Sequence, residues 1–278
     1  MPEITAHHGI LRSTKLHVDD TGGSGRAVVL IHGWPLSGAS WSGQVPALTE
    51  AGYRVITYDR RGFGRSDKPR KGYDYDTLTE DLHTLITELD LSDVTLVGFS
   101  MGGGEVARYM SRYDGERVHS VVFASAVPPY LLQGEDNPDG PLTPDQAAEY
   151  TRHAETDLGA FLDEFIVGFF SADGELKVSE GQRQQARAMC DEADEQAILG
   201  CMQSWATTDF RGDLPAAHRE ADEGHVGEVQ LGEHGVQILG ERVVVIALAR
   251  LVAATEAAAV VGDHAVSGLG ERRDLLGP

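Results

Sequence analysis

Between the short apolar run Val94–Val97 and a helical pattern that extends to about Tyr113 stands Gly98-Phe99-Ser100-Met101-Gly102, a G-x-S-x-G pentapeptide in a strand–turn–helix setting. A serine held at the tip of so sharp a turn has strained backbone angles. Its neighbours two residues either side must be nearly free of side chain if strand and helix are to close up. The turn exposes the hydroxyl and aims the next backbone N–H, that of Met101, at whatever the hydroxyl attacks. Ser100 is thereby a candidate nucleophile. The same five residues also describe a plain Gly/Ser turn, so the surroundings decide between the two.

Those surroundings alternate strand and helix. Residues 5–20 alternate weakly and pass into Asp19-Asp20-Thr21-Gly22-Gly23-Ser24-Gly25, an opening antiparallel hairpin. Ala27-Val28-Val29-Leu30-Ile31 carries no polar side chain, as a strand covered on both faces requires. His32-Gly33-Trp34-Pro35 ends it, and a helical segment is predicted from about Ser37 to Ala51. Tyr53–Tyr58 reads as the next strand, closing on the glycine-punctuated loop Asp59–Ser66. A helix over Tyr75–Leu89 follows from Leu78, Leu82, Leu85, Ile86 and Leu89, spaced three and four apart. After the pentapeptide and its helix comes the strand Val118–Ala124. This order implies right-handed crossovers and a mostly parallel sheet flanked by helices, an α/β fold. Ligands then sit at the carboxyl ends of the strands, where both Trp34 and Ser100 fall.

From about Tyr130 the character changes. Pro138–Asp145 is a turn-rich link ending in a helix start, and Asp157–Phe170 carries Leu158, Phe161, Leu162, Phe165, Ile166 and Phe169 at helical spacing. Such a stripe is core by default. Lying between two halves of a sheet, it is predicted here to belong to a helical cap whose apolar side roofs the site. The expected organisation is a first core part over 1–129, a cap over 130–206 and a second core part over 207–278.

Composition excludes some classes. The formal net charge of −21 argues against nucleic acid or an anionic membrane as partner, because phosphate binding needs a basic surface. No apolar run reaches the roughly 18 residues of a membrane span, and Met1-Pro2-Glu3 opens neither a basic nor an apolar leader, so a cytoplasmic location is expected. Cys190 and Cys201 lack companions for a disulfide framework or metal site and read as buried free thiols.

Together these stretches resemble the α/β-hydrolase superfamily, and within it the cofactor-free haloperoxidases and aryl esterases (perhydrolases). The residues that carry the likeness are Ile31-His-Gly-Trp-Pro35, Tyr58-Asp-Arg-Arg-Gly-Phe-Gly-Arg-Ser66, Gly98-Phe-Ser-Met-Gly-Gly103 and Thr208-Asp-Phe-Arg211. The resemblance implies Ser100 as nucleophile and the backbone N–H groups of Trp34 and Met101 as the oxyanion hole. It implies an acyl-enzyme mechanism on short carboxylic esters, with hydrogen peroxide able to replace water and give a peracid. Pro35 is similar to the residue at this position in haloperoxidase members; it fixes the backbone angle there and leaves its carbonyl free to accept a bond from peroxide. His32 resembles the family's positional loop histidine. No metal or cofactor is expected, since every proton transfer in this mechanism belongs to side chains; small-molecule partners and an oligomer are compatible with it. Dehalogenases and epoxide hydrolases are disfavoured, because those relatives place Asp where Ser100 stands.

Residues 215–278 do not continue the resemblance. The family's triad acid lies roughly twenty residues past the Asp209 equivalent, which lands near Val229 with only Glu228 beside it, and its histidine some thirty residues further on, near Ala258. Neither position carries the expected residue, so the triad acid stays unassigned. Glu135 and Asp136 lie too far beyond Ala124 to supply it from the alternative strand. All 19 aromatic residues lie at or before Phe210, and 215–278 contains no Lys, Met, Cys or Asn either. That composition is what an altered reading frame or an unrelated join near Leu214–Ala217 produces. Finding no His-Gly-Asp and Pro-His-Gly run in the gene's other two frames past codon 214 would discard the idea. Of the tail histidines His218, His225, His234 and His264, the last follows an apolar Ala/Val stretch and is the candidate general base; its neighbour Asp263 points away from it on a strand and cannot be its partner acid. A chain of this fold with an unserved serine is the alternative reading.

Overall fold

The computed structural model describes residues 3–7, 13–214, 238–239 and 243–246. Strands β1 (Glu3–His7) and β2 (Ser13–Asp20) form the antiparallel opening, and β2 runs antiparallel to β4 (Arg54–Tyr58). The parallel centre is β4, β3 (Ala27–Ile31), β5 (Val94–Phe99) and β6 (Val118–Ala124), in that spatial order. β3 is buried along its whole length because both of its faces are covered. Val29 and Ile31 enter the larger core cluster, whereas Val28 and Leu30 join Trp41, Val55, Phe99 and Ala124 on the opposite face.

The predicted helix over Ser37–Ala51 divides in two, a 3₁₀ turn at Gly38–Trp41 and helix α1 (Val45–Glu50). Pro46 is the reason. Its ring is tolerated only in a helix's first turn, so α1 must begin at Val45 and cannot continue the earlier turn. α2 (Tyr75–Glu88) keeps its predicted span. Asp74 caps it by accepting the Thr77 N–H, and Leu78, Leu82, Leu85 and Ile86 are fully buried, each stabilising the fold by roughly 1.5–3 kcal/mol relative to exposure. α3 (Met101–Arg112) rises directly from the pentapeptide.

Helices α4 (Pro144–Thr156), α5 (Leu158–Phe169), α6 (Glu180–Asp191) and α7 (Glu195–Thr207) fill the stretch where the sequence predicts a cap, with a small hairpin of β7 (Ser171–Ala172) and β8 (Glu175–Leu176) after α5. Reciprocal side-chain caps start two of them, Thr143 with Gln146 and Ser179 with Gln182. After α7 the chain is fastened to the core. Phe210 is fully buried, stands edge-on to Tyr75 with ring centres 4.7 Å apart, and donates its N–H to the Pro129 carbonyl at 2.9 Å.

Beyond Leu214 two strands are described, β9 (Ile238–Leu239) and β10 (Val243–Ile246). β10 lies parallel to β6, with Ile246 in register with Ala124, and β9 pairs with it antiparallel. The strand that extends the sheet past β6 thus begins later in the chain than the count from Asp209 suggests. A run of four β-branched residues without a polar one suits that place. Glu228, Val229 and Ala258 lie outside the described residues.

Candidate active site

Ser100 links β5 to α3 with φ 52° and ψ −116°, a conformation rarely adopted by a residue with a side chain. Its main chain is anchored on both sides. The Ser100 N–H donates to Ala124 at 3.0 Å, and the Ser100 carbonyl accepts from Gly103 and Val127, each at 3.0 Å. The glycines explain how the crossing fits. A Cβ on Gly98 would lie 2.5 Å from the Gly102 carbonyl oxygen, and one on Gly102 would lie 2.6 Å from that of Ile31. Strand, turn and helix therefore touch backbone to backbone, and the half-buried Ser100 side chain stands at the apex.

Two backbone donors flank it. Met101 is the first residue of α3, so its N–H has no acceptor within the helix, and it carries the positive end of the helix dipole. Trp34 follows β3, and among the described residues neither its N–H nor that of Met101 donates to another group. The Trp34 side chain is 4% exposed and held from the helical insertion. Its indole N–H donates to the Ile198 carbonyl of α7 at 2.9 Å, and its ring meets Phe165 of α5 edge-on at 4.8 Å. The Trp34–Pro35 peptide bond is cis.

Behind this loop His32 is fully buried, and its tautomer follows from its partners. The Arg60 backbone N–H donates to Nε2 at 2.9 Å, so Nε2 carries the lone pair and Nδ1 the proton, which goes to the Gly33 carbonyl at 2.9 Å. Burial first, and the Arg60 charge second, hold the imidazole well below its ordinary pKa of 6.5. His32 is neutral and both ring nitrogens are occupied, so it cannot act as general base toward Ser100. The unfolded chain takes up a proton at this residue below pH 6.5 and the folded one does not, so stability present above 6.5 falls as pH drops beneath it. The expected slope is up to about 1.4 kcal/mol per pH unit. Urea titrations at pH 7.5, 6.5 and 5.5 check it: the difference between wild type and His32→Gln carries that slope, and parallel curves would refute it.

Arg60 and Glu105 complete the ground behind the site. The Arg60 guanidinium contacts a Glu105 carboxylate oxygen at 2.5 Å and donates to the His32 carbonyl at 2.7 Å, and the Tyr58 hydroxyl donates to the other Glu105 oxygen at 2.7 Å. Burial pushes the Glu105 carboxyl above the ordinary carboxylate value, and Arg60 and Tyr58 pull it back. Glu105 belongs to none of the sequence motifs. The signal was there: a carboxylate one helical turn after Met101 and one before Tyr109, on the face that packs.

Among the described residues no histidine is bonded to Ser100. His17 pairs with Asp19, His83 stacks on Tyr113 with ring centres 3.9 Å apart, His119 pairs with Asp93 at 2.9 Å, and His153 lies by Glu164 at 3.8 Å. His218, His225, His234 and His264 lie outside the described residues. Asp136 is engaged by Arg211 at 2.7 Å. No cluster of three or more His, Cys, Asp or Glu suited to a metal occurs among the described residues, and Cys190 and Cys201 are buried free thiols, as expected. A cavity of about 240 Å³ adjoins the elbow, lined by Leu36, Trp41, Phe99, Phe169 and Met189; a larger one, about 440 Å³, lies between α4 and α7 and contains no elbow residue.

A mostly parallel α/β sheet whose strand β5 ends in a strained serine at a glycine-flanked turn into α3 defines a class, and the sequence comparison agrees: the chain belongs to the α/β-hydrolase family, whose sequence model, described as the alpha/beta hydrolase fold, matches residues 26–233. Its relatives are enzymes, among them non-heme haloperoxidases and esterases. The chain is 46% identical over 219 residues to a putative non-heme chloroperoxidase of Synechocystis, covering 77% of this chain and 78% of the relative. It matches the crystal structure of a bromoperoxidase from Bacillus anthracis with TM-score 0.73 and 50% identity over 77% of each chain. An esterase from Exiguobacterium antarcticum matches with TM-score 0.69 and 32% identity, over 77% of this chain and 76% of that one. Among the described residues no helix is long and apolar enough to cross a membrane.

Proposed function

We propose that this chain is a serine hydrolase of carboxylic esters that works through an acyl-enzyme on Ser100. The observation that carries the reading is the Ser100 conformation, which a chain maintains at φ 52° only when the surroundings enforce it. In this reading Ser100 Oγ attacks the ester carbonyl, and the oxygen that gains the charge is held by the Trp34 and Met101 N–H groups. A general base takes the Ser100 hydroxyl proton and gives it to the departing alkoxide, so that the alcohol leaves; water, giving its own proton to that base, then releases the acid, and the proton returns to Ser100 Oγ. Hydrogen peroxide in place of water yields a peracid, which is in keeping with Pro35 and with the chloroperoxidase and bromoperoxidase names among the relatives. Helices α4–α7 serve as the cap, since α5 and α7 supply the groups that grip Trp34. No metal or cofactor enters any step.

A second reading follows from the sequence past Leu214, where neither position counted for the triad acid and histidine carries the expected residue: a hydrolase by descent whose Ser100 is unserved by a base. Without that base the serine keeps only the contribution of binding and the oxyanion hole, and turnover falls by roughly 10³- to 10⁶-fold. Intact mass after exposure to a fluorophosphonate probe separates the two. The first reading expects one adduct per chain, lost in Ser100→Ala; a folded wild-type sample that stays unlabelled establishes the second. In the first case the base is sought at His264, then at His225 and His234.

A further inference from the structure

We propose that Glu105 and Arg60 are positioning residues for the oxyanion hole, setting the direction of the Trp34 N–H through His32. The proposal rests on the reading of Trp34 and Met101 as the paired donors. Those donors come from separate segments, one from the loop after β3 and one from the first turn of α3, so something must fix one against the other. Glu105 stands on α3, a single helical turn beyond Met101. Its carboxylate holds the Arg60 guanidinium, and Arg60 grips His32 twice, by guanidinium to its carbonyl at 2.7 Å and by backbone N–H to its ring at 2.9 Å.

The last step is peptide geometry. The His32 Nδ1–H and the Leu36 N–H both donate to the Gly33 carbonyl, at 2.9 and 3.0 Å. Gly33 C=O and Trp34 N–H belong to one planar trans peptide unit and point in opposite directions. Holding that oxygen by two donors behind the loop therefore aims the N–H forward, toward the space before Ser100. A Cβ placed on Gly33 would lie 3.2 Å from the Ser100 Cβ, so this peptide runs right beside the nucleophile. The chain of contacts has no exposed member, since His32, Arg60 and Glu105 are all buried.

The test is a nuclear magnetic resonance experiment on the full chain labelled with ¹⁵N-tryptophan. Three tryptophans give three backbone amides, with Trp41 and Trp205 as internal references and Trp34→Phe assigning the third. Arg60→Lys keeps the buried charge opposite Glu105 but removes the fork that reaches the His32 carbonyl, so the core stays balanced. Glu105→Gln is the companion where it folds. The expected result is displacement of the Trp34 backbone amide in Arg60→Lys while those of Trp41 and Trp205 stay, and a fluorophosphonate labelling rate lowered roughly 10- to 100-fold. A Trp34 amide that does not move in Arg60→Lys overturns the proposal. Absence of labelling in wild type instead overturns the acyl-enzyme reading, and the amide position alone then decides this one.

Discussion

Glu105→Ala lowers the unfolding free energy by roughly 3–5 kcal/mol, a large share of the about 5–15 kcal/mol that keeps a domain folded. The Arg60 and Glu105 side chains are 1% and 0% exposed. Removing the carboxylate leaves a guanidinium without counter-charge or water, and takes from the Tyr58 hydroxyl its buried acceptor as well. An exposed pair behaves differently. Arg65 and Asp19 are about half and a third exposed, and Asp19→Ala is expected to cost about 1 kcal/mol or less. Replacing both partners, as Arg60→Met with Glu105→Leu, restores part of the loss: the unpaired charge is gone, but the Tyr58 hydroxyl and the His32 carbonyl stay without their buried partners. Urea denaturation followed by tryptophan fluorescence gives all three values. A Glu105→Ala loss no larger than that of Asp19→Ala would mean that the buried pair is solvated or replaceable.

The alternation of strand and helix was legible because it is written in two periods. Ala27–Ile31 has no polar residue and became a strand buried on both faces, and the spacing of Leu78, Leu82, Leu85 and Ile86 gave α2 its span and its buried side. The elbow was legible for a different reason, since only glycine at 98 and 102 lets the backbones meet. Pro46 split a helix that apolar spacing alone had drawn as continuous, a local steric veto over a periodic signal. The ground behind the site was legible only in part: His32 and Arg60 stand in the motifs that carry the family likeness and Glu105 falls on the packed face of α3, but nothing in the sequence joins the three. Periodicity sorts residues into inside and outside, whereas Glu105, Arg60 and His32 are polar groups placed inside, and the pairing that makes this tolerable joins positions far apart in the chain. The same limit applies to the triad. An acid and a base for Ser100 would be single side chains, and no periodic pattern marks such residues.

Gly98→Ala is expected to cost about 3 kcal/mol and to slow fluorophosphonate labelling of Ser100 roughly 100-fold. The new Cβ meets the Gly102 carbonyl oxygen at 2.5 Å, and the Gly102 carbonyl carbon and Gly103 Cα at 2.7 Å. All three are backbone atoms of the turn and of α3, so no side chain can swing away, and β5 and α3 must separate. That separation reaches the chemistry directly. Ser100 holds its φ of 52° because its N–H is bound to Ala124 and its carbonyl to Gly103 and Val127, and a shift of α3 breaks the second of these attachments. The serine then relaxes to an ordinary conformation, its hydroxyl withdraws, and the Met101 N–H turns from the place the proposed mechanism gives the oxyanion. Gly168→Ala is the control: it sits in the last turn of α5 with nothing within 4 Å of the added carbon, and alanine there is expected to be neutral or to stabilise by at most roughly 0.5–1 kcal/mol. Urea midpoints and time-resolved intact mass on the two variants decide the matter. A Gly98→Ala chain labelled at the wild-type rate would show that the elbow tolerates an opened crossing, and that strain at Ser100 is not what makes it reactive.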